Sequence, residues 1–511
     1  MIFKCYNTLM KHRFFKFSAA AAASLFFILS AFPVNAVPAS SAVQTVQSES
    51  NNFPSLEPLF TGSETSSELT GEDIIRYALL FSECKEGSAE WNKALSKFRQ
   101  VENKVKSEPV MSLPEEQRAE TILSIMYEST ITQYVENQTK MDVLLLKGTY
   151  NCVSSSVMFA ALARTAGIDF VGVKTPTHAF CTVLIGDKKI DVETTNPYGF
   201  NPGRKQVLEQ SEKQTKYAVI PKKNYASRHD VSVKTLVSLI GNNLTSAYIK
   251  DNDYFKAVPM SLTVYKFRKG EDQWEVQDAR ESFDTSAMNY SVILGRQKEH
   301  VKALEWLNQV RDNYGGSKKI NADYSGVLYN AVSSLINSGE FTRASELFEE
   351  NKLYLPEKDR ASMQTVIFVS LTQDKLNQFD KKGDTDGALA YVLSMYSSPE
   401  AVEKSAKETL DKWQEYYWLY KINELNKKAA FLEAVQVCNE ALKNMPQNAK
   451  LKTAKSNALH NHDVTYHNMV AKYVQSREYK AALKVLEKGL QENPESQILK
   501  SDIEKIKKAM N

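Results

Sequence analysis

Between residues 112 and 131 the apolar positions Ile122, Leu123, Ile125, Met126 and Ile131 recur at helical spacing. A start signal precedes them: Ser112 as N-cap, Pro114 in the first turn and Glu115 three residues on. From Tyr150 the pattern changes. "CVSSSVMFAALARTA" reads as a helix, with Gly167 where a left-handed terminating residue belongs. Short β-rich runs follow, "FVGVKT", "HAFCTVLI" and "KKIDVETT", the last two joined by Gly186-Asp187, a good hairpin signal. A helix followed by antiparallel strands predicts an α+β unit, closing near "NPYGFNPGRK" and "KYAVIPKKNY".

Beyond about residue 230 the strand signals fade and a helical repeat takes over. A small residue followed by an apolar stripe recurs at Ala257, Ala303, Ala344, Ala388, Ala434 and Ala482, at intervals of 46, 41, 44, 46 and 48 residues. Each unit reads as a helix hairpin in which the small residue lets two helices approach. The units resemble tetratricopeptide repeats (TPR), best at Ala434 to Pro446 and Ala482 to Pro494. They are longer than that family's period of about 34 residues and lack most of its aromatic signature. A generic helical bundle is the alternative. A solenoid would offer a concave surface to a peptide or protein partner.

The two ends of the chain differ in character. Lys4, Lys11, His12, Arg13 and Lys16 precede the apolar run "SAAAAASLFFILSAF", and "VNA" at Val34 to Ala36 supplies small residues for cleavage. This is the pattern of a secretory signal peptide over 1–36, with an uncleaved anchor as the alternative. Residues 37–69 are rich in Ser, Thr, Pro and Asn and read as a flexible leader. The expected organisation is therefore signal 1–36, leader 37–69, α+β domain 70–229 and TPR-like helices 230–511. It implies a secreted or periplasmic protein that meets the membrane only transiently, through its signal.

Charge narrows the function classes. The first 36 residues hold four of the 64 Lys/Arg and none of the 61 Asp/Glu, which leaves 60 basic against 61 acidic residues. That balance gives no reason to expect nucleic-acid binding. Of the five cysteines, Cys84, Cys152, Cys181 and Cys438 lie beyond the signal. Their scatter is no disulfide framework, a Cys84–Cys438 bridge being the one pairing kept open, and no CxxC pair suggests zinc. No Walker or dinucleotide-binding glycine pattern occurs, so neither cofactor nor metal is expected.

Chemistry concentrates around Cys152. A helix N-terminus favours a thiolate, a nearby imidazole adds to this, and a third polar group holds the imidazole's tautomer. His178 opens the strand "THAFCTV" and Asp191 lies on the next strand. Cys, His and Asp ordered as helix start, strand and strand form the arrangement of a papain-like thiol acyl-transfer site.

Together, "LLLKGTYNCVSSSVMFAALARTAGI", "TPTHAFCTV" and "IDVETTNPYGF" resemble the transglutaminase-like cysteine-peptidase superfamily, in the branch that carries TPR-type helices. The resemblance implies an α+β transglutaminase-like (papain-like) domain followed by an all-α helical-hairpin solenoid. Motif by motif it implies Cys152 as nucleophile, His178 as general base and then acid, and Asp191 as the group orienting the imidazole. Such domains include cross-linking enzymes, peptidases, amidases and inactive binding versions, so a peptide or protein substrate and a non-catalytic scaffold both stay open. A two-residue turn at Gly186-Asp187 would pair Asp191 with Thr182, four residues or about 13 Å along the strand from His178. Glu193, whose cross-strand partner would be Phe180, is the alternative carboxylate.

Weaker candidates complete the reading. Cys181, three residues after His178, is expected in the core. The Cys152 N–H is the natural first oxyanion donor, with Gln133, Asn137 and Gln138 as candidates for a second. His460, His462 and His467 read as a solvated helix face and not a metal site, since i and i+2 face apart on a helix. In "TTNPYGFNPG", Tyr198 or Phe200 lines a substrate cleft or belongs to a packed loop.

Overall fold

The computed structural model describes residues 53–62, 68–202 and 227–510; the expected signal segment lies outside them. Helix α1 (Gly71–Phe81) starts with a capping box, in which Thr70 Oγ1 accepts from the Asp73 N–H and the Asp73 carboxylate accepts from the Thr70 N–H. Helices α2 (Ala89–Val105), α3 (Glu108–Met111) and α4 (Glu115–Ser129) follow. The start signal at Ser112 falls elsewhere. Ser112 caps the C-terminus of α3 and Pro114 is the N-cap of α4, because a proline biases the residue before it towards extended backbone.

Next come β1 (Gln133–Tyr134), α5 (Met141–Lys147), β2 (Thr149–Tyr150), α6 (Cys152–Thr165), β3 (Asp169–Lys174), β4 (Ala179–Ile185), β5 (Lys188–Val192) and β6 (His229–Val231). Strands β1 and β2 pair in parallel, and the other four form an antiparallel sheet in the order β5-β4-β3-β6. Pairing of Ile185 with Lys188 makes Gly186-Asp187 a two-residue turn, and Gly186 takes the φ of 53° that such a turn needs. Helix α6 is the centre of this region, with every residue from Val153 to Ala163 buried. Its serines and alanines let α1 and the sheet approach its axis.

The expected papain-like α+β fold is corrected here. Helix accounts for 72% of the described residues and strand for only 6%. The β-rich runs do pair, but into a small sheet on a largely helical body, and a separate papain-like domain is not evident. Nor does the first core stop near residue 230. It runs on through Leu236, Val237, Ile240, Met260, Val264 and Phe267.

From Val233 onward the described residues hold only helices and short 3₁₀ turns, α7 (Val233–Lys250), α8 (Tyr254–Phe267), α9 (Gln273–Arg296), α10 (His300–Tyr314), α11 (Lys318–Asn337), α12 (Phe341–Asn351), α13 (Glu357–Lys382), α14 (Thr385–Met395), α15 (Lys404–Lys427), α16 (Phe431–Asn444), α17 (Ala449–Gln475), α18 (Tyr479–Glu492) and α19 (Gln497–Met510). The recurring alanines sit at the fourth residue of α8, α10, α12, α14, α16 and α18, each buried at 0–2% exposure. Each of these helices follows the same turn. Asn252, Lys298, Gly339, Gly383, Ala429 and Arg477 take positive φ two residues before the second helix begins. The next N–H then reaches back to the carbonyl five residues earlier, as Asp253 to Tyr248 and Glu478 to Tyr473 do, which is the Schellman closure.

Ala429 holds φ 59° without being glycine, which costs an L-residue about 1–2 kcal/mol. Ala429→Gly should therefore raise stability by about 0.5–1 kcal/mol after the glycine's extra unfolded-state entropy is counted. A urea midpoint that fails to rise would show that the turn carries no such strain.

The leader reading is corrected for residues 53–62. The Phe53 ring lies 5.6 Å from Trp306, the Tyr314 hydroxyl donates to the Leu56 carbonyl at 2.6 Å, and Leu59 N–H donates to Thr263 Oγ1 at 2.8 Å. Phe60 packs edge-on against Phe81 at 4.8 Å. Ser-rich composition hid four apolar side chains (Phe53, Leu56, Leu59 and Phe60) on an extended segment, of which Phe53, Leu56 and Phe60 reach the first two cores. All four cysteines of the described residues are free, so no bridge joins Cys84 to Cys438.

Candidate active site

The site begins at the N-terminus of α6. Asn151 is its N-cap, and the side-chain Oδ1 accepts from the N–H groups of Val153 and Ser154, both at 3.1 Å. Its Nδ2 donates to the Glu136 carbonyl at 3.1 Å, tying the segment after β1 to the helix start. Cys152 is thus the first helical residue, partly exposed, with its own N–H among the first-turn donors that have no intrahelical acceptor.

His178 precedes β4 and is held by its backbone. Thr175 donates to the His178 carbonyl from both its N–H (2.8 Å) and its hydroxyl (3.2 Å). The ring is buried, and its Nε2 lies 2.8 Å from Glu193 Oε2. The thiol of Cys152 lies near enough to the same imidazole to raise its pKa. Burial alone would lower the imidazolium pKa; the Cys152 and Glu193 side chains outweigh it and raise His178 to about 10.

Glu193 is buried as well and fully engaged. Its Oε1 accepts from Thr195 N–H at 3.1 Å and from Thr195 Oγ1 at 2.7 Å. The loop carrying it is pinned from below: Tyr127 donates to the Thr194 carbonyl (2.9 Å), Tyr150 to the Thr195 carbonyl (3.1 Å), and the hydroxyls of Ser155 and Ser156 each lie 2.9 Å from Thr194 Oγ1. Gly199 closes this loop. A Cβ there would stand 1.9 Å from the Glu193 carbonyl oxygen, so Gly199→Ala must displace the backbone that aims the carboxylate. The expected result is a loss of about 2 kcal/mol or more in a thermal melt together with a loss of Cys152 reactivity. Wild-type stability would show that the loop yields freely.

Asp191 does not join this group, and its assignment as orienting residue is corrected. Ladder register sets Asp191 opposite Thr182. Its Oδ1 accepts from Thr182 Oγ1 at 2.7 Å, and Arg228 donates to both carboxylate oxygens at 2.9 and 3.0 Å. The strand offset leaves it too far along the sheet, and Glu193, just past the end of β5, curls in where Asp191 cannot reach.

The remaining candidates sort out by their surroundings. Cys181 is fully buried, donates weakly to the Ser156 carbonyl at 3.5 Å, and has its thiol pKa pushed up by burial and by the charge of Glu193. Gln138 is spent on structure: Nε2 donates to the carbonyls of Lys140 and Thr149, and Oε1 accepts from the Lys140 N–H. Gln133 and Asn137 are exposed. Phe200 is buried beside Val192, whereas Tyr198 is 64% exposed.

Of the histidines on α17, His460 and His467 are exposed as expected, and only His462 departs from the solvated face. His462 is buried, with Nδ1 3.2 Å from Asp463 and Nε2 2.9 Å from Glu492, and His467 Nδ1 lies 2.5 Å from Asp502. Glu492 and Asp502 arrive from α18 and α19, partners that local spacing cannot reveal. Among the described residues no group of His, Cys, Asp and Glu side chains is arranged to hold a metal ion, and no helix is long and apolar enough to cross a membrane.

No family model matches the chain, and neither does any curated protein. Among solved structures, a crystal structure of menin, described as revealing the binding site for Mixed Lineage Leukemia (MLL) protein, aligns over 76% of this chain and 90% of that one. Identity is 11% and the TM-score 0.26, values too low to carry an argument about either fold or function.

Proposed function

We propose that this chain is an exported thiol enzyme that takes acyl groups from amide or peptide bonds, with Cys152 as nucleophile, His178 as acid and base, and Glu193 as the group that orients His178. One observation carries the reading: a single buried imidazole lies near both the Cys152 thiol and the Glu193 carboxylate. The site-motif resemblance to transglutaminase-like thiol enzymes supports the same chemistry, with Glu193 in the role first given to Asp191.

The proton moves from Cys152 to His178, whose raised pKa favours the imidazolium. The thiolate adds to the carbonyl carbon, and the carbonyl π electrons pass to oxygen. Collapse re-forms the C=O and breaks the C–N bond, while His178 protonates the departing amine. His178 then deprotonates water, which attacks the thioester and releases the acid. Hydrolysis is favoured over cross-linking because an amine acceptor must outcompete solvent. The helix hairpins after residue 233 supply surface for a protein partner.

The test is alkylation of Cys152 by iodoacetamide at pH 7, followed by peptide mass spectrometry, with Cys181 as internal control. An ordinary thiol with pKa near ~8.5 is only about 3% ionised at pH 7, so loss of the His178 partner should slow labelling about 30-fold. Equal rates in wild type and His178→Ala would sink the enzyme reading and turn attention to a binding role.

A further inference from the structure

We infer that the hydroxyl of Tyr134 is the second oxyanion donor of this site, acting with the backbone N–H of Cys152. The inference rests on the thiol-enzyme reading above and adds a residue that the sequence motifs do not contain.

The argument begins with the short parallel ladder. Strand β1 pairs Gln133 with Thr149 and Tyr134 with Tyr150, two residues before the nucleophile. Side chains alternate along a strand, so Tyr134 shares a face with Tyr150, while Gln133 points to the other face and into solvent. The Tyr134 ring is half-buried and meets the Tyr150 ring edge-on at 5.8 Å. Its position is fixed at both ends. Val135 N–H donates to the Tyr150 carbonyl at 2.8 Å, and Asn151, the cap of α6, holds the Glu136 carbonyl. The segment that carries Tyr134 is thereby locked to the turn that presents the Cys152 N–H.

Competing donors are committed elsewhere. Gln138 gives its amide hydrogens to two backbone carbonyls. Tyr127 and Tyr150 use their hydroxyls to pin the Thr194–Thr195 loop. Tyr134 makes no hydrogen bond through its hydroxyl among the described residues, so its proton is free to be donated.

Electrostatics agree with the placement. Burial raises the Tyr134 pKa, and the charges of Cys152, Glu136 and Glu193 raise it further. A phenol held in that direction keeps its proton at every working pH and can donate it as a hydrogen bond. Sensitivity to both Cys152 and Glu193 also puts the ring within range of the two charged ends of the site. When the thiolate adds to a carbonyl, negative charge forms on an oxygen beside the Cys152 N–H, where a second donor has its largest effect.

Two reactions of the same sulfur separate this role from the reading it rests on. Alkylation by iodoacetamide displaces iodide at carbon and forms no oxyanion; acylation by p-nitrophenyl acetate does form one before p-nitrophenolate leaves. Tyr134→Phe keeps the ring contact with Tyr150. It should leave Cys152 alkylation within about twofold of wild type while lowering the acylation rate by about 10²–10³-fold. Normal alkylation with acylation within threefold of wild type would remove Tyr134 from the oxyanion site and leave the Cys152–His178 pair standing. Slow, His178-independent alkylation in the wild-type protein would overturn the thiol reading itself, and this proposal with it. A Tyr134→Phe protein that alkylates slowly and shows an altered circular dichroism spectrum would assign Tyr134 a structural role and overturn the proposal.

Discussion

Cys152→Ala should abolish acylation by p-nitrophenyl acetate, and His178→Ala should lower it by about 10²–10⁴-fold, the usual contribution of a positioned acid–base group. Each variant removes one end of a single proton-transfer unit, so the double variant should be no worse than Cys152→Ala alone. Only the Cys152 side chain lies where the fold tolerates change; His178 is buried against Glu193, so His178→Ala should also lower stability. Cys152 is partly exposed at the start of α6, and the fold around it is held by Asn151 and the buried body of that helix. Rates that survive in Cys152→Ala would mean that another group reacts, and the proposed nucleophile would be wrong.

Glu193→Gln is the second large effect, expected to cut acylation by about 10²–10⁴-fold through loss of the correct tautomer and of imidazolium stabilisation. Asp191→Asn serves as its control and should stay near wild type, because Asp191 is occupied by Arg228 and Thr182. The opposite ranking of the two variants would restore Asp191 as the orienting group.

The same carboxylate sets a pH signature. His178 titrates near 6.5 when unperturbed and is raised to about 10 here. Stability that comes from its charged form is fully present below about 6.5 and is lost as pH rises through about 10. Thermal midpoints should therefore fall between pH 7 and pH 10. In Glu193→Gln one of the groups that raises His178 is gone, so that fall should begin at lower pH. Identical pH profiles for the two proteins would show that Glu193 does not hold the charge on His178.

Much of the site lies in plain view along the chain. Asn151-Cys152 at the head of a small-residue helix, and His178 at the head of a strand, are signals of neighbouring residues, and both follow from local backbone preference. The recurring alanines belong to the same class: a small residue four positions into a helix is visible as a spacing, and each one is buried. What spacing leaves undetermined is where strands end and which distant helices arrive. Asp191 and Glu193 stand two residues apart on one face, and only the ladder's end at Val192, with Gly199 folded against the Glu193 carbonyl, turns the second towards His178.

The same limit governs the larger scale. Alternation in three short runs correctly marks strands, but it carries no information on how many helices surround them, and so it invites an α+β reading of a body that is mostly helix. His462 looks solvated from its own helix because Glu492 comes from another one. Residues 53–62 look like leader because Phe53 and Phe60 meet their aromatic partners about 250 and 20 residues away in the chain. By itself the sequence determined the local elements, the repeat interval and the Cys152 and His178 pair around which the site is built. The carboxylate beside His178, the placement of Tyr134 next to the site and the extent of the first core were decided by tertiary structure, since each depends on contacts between segments that local propensity does not relate.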